Sequence, residues 1–120
     1  MFCAVPSQLI SWNTNNMNPK HPIPLEFDFH FDGPWGTELA STMKDLASDV
    51  NAEPGLLWKI WTENPTTGRA GGIYLFSNQK HTDRYCRKHT TRLQSLGTSG
   101  IVAHSYNVNF DLTTMTRGEL

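Results

Sequence analysis

From Ile23 to Phe31 apolar and polar residues alternate without a break. Ile23, Leu25, Phe27, Phe29 and Phe31 fall on one side, and Pro24, Glu26, Asp28, His30 and Asp32 on the other. A period of two is that of a strand with one face buried and the other in water. Asp32-Gly33-Pro34 ends it with turn chemistry. From about Thr37 to Asn51 the period lengthens to that of a helix. Leu39, Met43, Leu46, Ala47 and Val50 form its apolar side, and Pro54-Gly55 stops it. A second strand runs from about Leu56 to Glu63 and a third from Ala70 to Ser77. Residues 64–69, Asn-Pro-Thr-Thr-Gly-Arg, join them as a hairpin loop. Both of these strands are apolar on both faces. A second helix is predicted from Gln79 to Leu96, capped by Ser77 or Asn78 and stopped by Gly97. Its inward stripe is Thr82, Tyr85, His89, Leu93 and Leu96, with Arg92 adjoining. A last alternating strand is predicted from Ile101 to Asp111.

This order, strand–helix–strand–strand–helix–strand, is the ferredoxin-like split βαβ unit, an α+β fold with a four-stranded antiparallel sheet. Right-handed crossovers put both helices on one face. The doubly apolar middle strands then need cover on the other face as well. A second copy of the chain, pairing sheet to sheet about a two-fold axis, is the simplest cover. The domain is expected over residues 22–112. Residues 1–21 read as a flexible polar tail, because a run such as Asn13-Thr14-Asn15-Asn16 cannot bury enough to offset its ordering entropy. Residues 113–120 read as a polar end.

Composition narrows the partners. The 120 residues carry ten Lys plus Arg against eleven Asp plus Glu, a net charge of -1. That argues against nucleic acid as the main partner. No apolar run is long enough for a membrane helix, and the N-terminus lacks the basic start of a signal peptide. The two cysteines, Cys3 and Cys86, offer no zinc spacing and no disulfide framework. They read as reduced thiols of a cytoplasmic protein.

Four stretches carry a resemblance. They are residues 31–36 (Phe-Asp-Gly-Pro-Trp-Gly), 53–63 (Glu-Pro-Gly-Leu-Leu-Trp-Lys-Ile-Trp-Thr-Glu), 70–76 (Ala-Gly-Gly-Ile-Tyr-Leu-Phe) and 88–93 (Lys-His-Thr-Thr-Arg-Leu). Over roughly Leu25 to Leu112 the chain resembles the YdhR-type monooxygenase family, of the dimeric α+β barrel group that includes the antibiotic-biosynthesis monooxygenases. The resemblance implies a homodimer whose sheets face each other, with a pocket between helices and sheet in each subunit. It also implies oxidation of an aromatic, phenolic or polyketide-like substrate by dioxygen, with no flavin, haem or metal cofactor.

Candidate chemistry sits on the second helix and the central hairpin. His89, on the inward stripe, is placed to take a proton from a phenol as a general base. The structural alternative is a core histidine bonded to backbone or to Tyr85. Arg92, one turn on, suits a phenolate, an enolate or a reduced-oxygen anion. Its alternative is a surface ion pair. Tyr74 can donate a hydrogen bond to a substrate carbonyl. Trp58, Trp61, Tyr85 and Phe29 are the expected walls of the substrate pocket. Trp58 and Trp61, three residues apart in a strand, point to opposite faces, so one should line the pocket and the other the dimer interface. Lys59 and Glu63 share a face with Leu57 and Trp61, and Lys59 reads as half of a structural ion pair across the hairpin or across the dimer. Gly71-Gly72 reads as a bulge or a close backbone approach. His30 with Asp28 has the spacing of a metal pair but lacks a third ligand. His104 adds little to it, and His21 and His81 read as exposed. Two other readings remain: a haem-binding or haem-degrading relative using His89 or His81, and a non-enzymatic, stress-related barrel that binds a small ligand.

Overall fold

The alternating segment read first is the hub of the sheet. The computed structural model describes residues 21–120; of the expected tail only His21 falls within them. Its elements are β1 (Ile23–His30), α1 (Gly36–Thr42), α2 (Lys44–Asn51), β2 (Leu56–Asn64), β3 (Arg69–Phe76), α3 (Gln79–Ser95), β4 (Val102–Ser105) and α4 (Phe110–Met115). The sheet order is β2-β3-β1-β4 and every pairing is antiparallel. This is the ferredoxin-like α+β arrangement. β1 pairs on both sides, with Phe27 opposite Gly72 of β3 and Ala103 of β4. Its inward residues Ile23, Leu25 and Phe27 are fully buried, as its alternation requires. Leu25 and Phe27 meet Val50 of α2, Tyr74 and Phe76 of β3, and Tyr85 and Leu93 of α3 in one core.

Two elements depart from the sequence reading. The helix expected over residues 37–51 is broken at Met43, whose backbone (φ -100°, ψ 11°) leaves the helical region. Thr42 donates its hydroxyl to the Leu39 carbonyl, 3.0 Å away, and so competes with the backbone ladder at the break. The last strand is also shorter than expected. After Ser105 one more bond forms, from the Tyr106 N–H to the Pro24 carbonyl. β4 then has no partner left, because β1 begins at Ile23. The chain turns instead into α4, where the Asn109 side chain accepts from the Leu112 N–H.

The second helix follows its pattern closely. Asn78 caps α3 by accepting from the His81 N–H at 3.0 Å. Gly97, at φ 77°, ends it in the left-handed conformation, with the Thr98 N–H bonded to the Leu93 carbonyl. Thr82, Tyr85, His89 and Leu93 are buried, while Leu96 is 74% exposed at the end of the stripe. Cys86 lies on the buried side of α3; Cys3 lies outside the described residues. Among the described residues no helix is long and apolar enough to cross a membrane.

The two faces of the central hairpin differ. Lys59, Trp61 and Tyr74 look toward the helices and line a cavity there. The residues that alternate with them, Ile60 and Ile73, sit opposite one another on the outer face and are 54% and 37% exposed. Trp58 shares that outer face, beside Leu75, and its indole donates to the Glu119 carbonyl at 3.2 Å. The C-terminal segment therefore runs over part of the outer face.

Candidate functional site

A cavity of about 140 Å³ lies under the C-terminal half of α3, between that helix, the α1–α2 break and the helix-facing side of β1–β3. Its apolar walls include Phe29, Leu39, Met43, Trp61 and Leu93, and its polar groups include Lys59, Tyr74, His89 and Arg92. A wider outer chamber of about 410 Å³ adjoins it and shares Leu39, Met43, Trp61 and Thr62. Glu63 fixes the roof of this chamber. Its carboxylate accepts from the Gly36 N–H at 3.1 Å and so ties the start of α1 to β2.

The inner cavity is short of hydrogen-bond partners. His89 Nδ1 and Arg92 Nη1 are buried polar atoms with none. Buried polar groups in folded proteins are nearly always paired, so two orphans on one cavity wall point to a ligand. Of the structural alternatives for His89, a bond to backbone or to Tyr85, neither is made at Nδ1. The Tyr85 hydroxyl donates to the Tyr74 hydroxyl instead, at 3.1 Å. Tyr85 only stacks its ring on the imidazole, centroids 5.2 Å apart and 18° from parallel. Phe27 also packs on the imidazole in a T-shaped contact, ring centroids 4.9 Å apart. Burial, and then the charges of Lys59 and Arg92, push the His89 pKa down from 6.5 to about 3. The imidazole is therefore neutral at any physiological pH.

Lys59 was expected in an ion pair, and among the described residues it has none. Its ammonium nitrogen lies 3.3 Å above the centre of the Trp61 ring and 4.5 Å from that of Tyr74. Burial and the nearby Arg92 charge pull its pKa from 10.5 down to about 7. The glycine pair makes room for it. A β-carbon on Gly72 would come within 2.7 Å of Lys59 Cε, so the lysine stem passes over the space a side chain would fill. A β-carbon on Gly71 would collide with the Phe27 carbonyl, which is the close backbone approach expected of that pair.

The structure thus brings His89, Arg92, Tyr74, Trp61 and Phe29 to one cavity. Trp58 is not among its walls and lies on the opposite face. Tyr85 does not line it either; it is fully buried behind Tyr74 and His89. Burial raises Tyr85 to about 12 and, with the Tyr85 interaction, raises Tyr74 well above 10, so both phenols stay protonated. Asp28 and His30 both engage Arg69: its guanidinium lies 2.9 Å from the carboxylate and 3.2 Å from the imidazole. Lys59 is the group that the residue pattern undervalued. Its signal was present in the strand alternation, which put it on the same face as Trp61.

A family model described as "Putative mono-oxygenase ydhR" matches residues 25–119. A search of curated proteins returns no match.

Proposed function

This chain belongs to the YdhR mono-oxygenase family, and from that premise we propose that it oxygenates an electron-rich phenol or polyketide-like aromatic without flavin, haem or metal. The observation that carries this reading is the pair of buried, unpartnered polar atoms, His89 Nδ1 and Arg92 Nη1, on the wall of an otherwise apolar cavity. One aromatic ring with its hydroxyl fits the inner cavity. Further rings extend past Trp61 into the outer chamber.

The chemistry asks three things of the protein. The hydroxyl must lose its proton, because the anion is the electron donor that dioxygen needs. The anion must be held, which Arg92 does by charge and Tyr74 by an O–H hydrogen bond. Water must be kept out, which the aromatic walls do. The anion passes one electron to dioxygen, and the two radicals combine at the ring carbon para to the hydroxyl. The resulting peroxide then loses the carbon-bound hydrogen as the O–O bond breaks. One oxygen stays as a carbonyl and the other leaves as water, so a ring CH₂ of the keto tautomer plus O₂ becomes C=O plus H₂O. His89, neutral in this setting, serves as a hydrogen-bond partner for the substrate hydroxyl.

The assembly proposed with this function is a homodimer, supported by the exposed Ile60–Ile73 pair on the outer face. The activity is tested by oxygen uptake with polycyclic phenols. Wild type is expected to consume oxygen and His89→Ala to do so several-fold more slowly. Equal rates would remove His89 from the mechanism. Ligand binding without any uptake would instead favour a binding protein.

A further inference from the structure

We propose that Lys59 is the catalytic proton acceptor of this site, taking the hydroxyl proton of a one-ring phenolic moiety and leaving the anion against Arg92. The inference deepens the oxygenase reading and rests on its placing of the substrate in the inner cavity.

Geometry carries it. Lys59 is half-buried, and a lysine held among apolar groups is normally paired with a carboxylate. Lys59 has an aromatic face and no carboxylate among the described residues. It stands on β2 across the cavity from α3, which supplies His89 and Arg92; β3 supplies Tyr74. These are the titratable and charged groups that face it, and none of them is a competing base. Arg92 is permanently charged, the Tyr74 phenol holds its proton, and His89 is too weakly basic, held down first by burial and then by the Arg92 charge. Loss of hydration, and then charge repulsion from Arg92, favour the uncharged amine. A phenolate reverses both terms. The O–H bond breaks, an N–H bond forms, and the new ammonium sits on the Trp61 face with an anion beside it. The same proton is then available to the reduced oxygen that leaves as water.

The test uses meta-nitrophenol, a one-ring probe whose ionised form is yellow, at a pH one unit below its own pKa and just above 7, where the Lys59 amine is mostly uncharged. Wild type is expected to bind the yellow anion. Lys59→Met, checked for an unchanged circular dichroism spectrum, is expected to bind the colourless phenol. A yellow complex with Lys59→Met, a colourless complex with wild type, or no binding to wild type overturns the proposal. Should Lys59→Met fail to fold, carbon-13 lysine NMR of the wild type decides. One lysine resonance titrating near pH 7 and moving on probe binding supports it; ordinary alkaline titration of every lysine overturns it. Oxygen uptake separates the two claims. If the reading holds, Lys59→Met slows uptake roughly 100-fold or more. Equal uptake by both proteins discards Lys59 and keeps the oxygenase. Lysine-dependent ionisation of the probe without uptake of oxygen with any phenol discards the oxygenase and keeps Lys59.

Discussion

The Tyr85 hydroxyl donates to the Tyr74 hydroxyl across 3.1 Å in the centre of the core. With its acceptor role met from behind, Tyr74 has its own O–H free to donate into the cavity it lines. Tyr85→Phe removes the supporting bond and leaves a buried hydroxyl short of one partner. Stability is expected to fall by about 1–3 kcal/mol, measured by urea denaturation. Substrate binding should weaken as well, since Tyr74 is then no longer held in place. A variant as stable as wild type would show that the bond carries no net weight.

The pH dependence of stability follows from the two depressed bases. The unfolded chain protonates His89 at about 6.5, but the native state resists until about 3. Across that window the unfolded state binds the extra proton, so stability falls as pH falls. Lys59 acts higher up. Below about 7 it is charged in both states and its burial penalty is fully present. As pH rises from 7 toward 10.5 the native state loses the proton first, and stability rises. Replacing His89 by Leu should flatten the acid limb by up to about 1.4 kcal/mol per pH unit. Denaturation curves of wild type and variant at pH 7 and pH 4 check this. Parallel losses would contradict it.

The two adjacent glycines are expected to behave differently. An added methyl at Gly71 meets the Phe27 carbonyl, which is backbone of the neighbouring strand and cannot yield without separating β1 from β3. Gly71→Ala should therefore lower the thermal midpoint sharply or prevent folding. At Gly72 the obstacle is Lys59 Cε, near the end of a flexible chain. Gly72→Ala should fold, with only a modest change in midpoint, but should shift the Lys59 amine off Trp61 and weaken ligand binding. Thermal melts of both variants, with a binding assay on the second, separate the two effects.

Much of this was legible along the chain, and the reason is local. Residues 23–31 declare their buried face by alternation alone, and the stripe through Tyr85, His89 and Leu93 put the imidazole under α3. The break at Met43 and the helix at Phe110–Met115 were not legible. The first depends on a side-chain bond competing within the helix, and the second on where β1 happens to begin. The standing of Lys59 depended on what is missing around it among the described residues, namely a carboxylate within reach, and pattern cannot show an absent tertiary partner. Tyr85 pointed the right way but is screened from the cavity by Tyr74 and His89, a matter of depth that helical periodicity does not encode.

The outer face gives a prediction about assembly. Ile60 and Ile73 are directly paired across β2 and β3 and remain exposed in the single chain. In the proposed homodimer they are covered by the partner sheet. Ile60→Lys places a charge at that contact and should shift the protein from dimer to monomer in sedimentation equilibrium. Its effect on the intrinsic fold should be small, because the site is half-exposed within the chain. A wild type that sediments as a monomer would rule out the sheet-to-sheet pairing.

The most direct test of the central claim uses heavy-isotope dioxygen and a hydroxylated anthrone-type substrate, with protein stripped of flavin and metal by dialysis against chelator. Mass spectrometry of the product is expected to show one labelled oxygen in the new carbonyl, formed at a rate that Arg92→Gln lowers at least tenfold. An unlabelled product, or turnover that appears only when flavin, haem or metal is restored, would contradict oxygenation by the cavity residues alone.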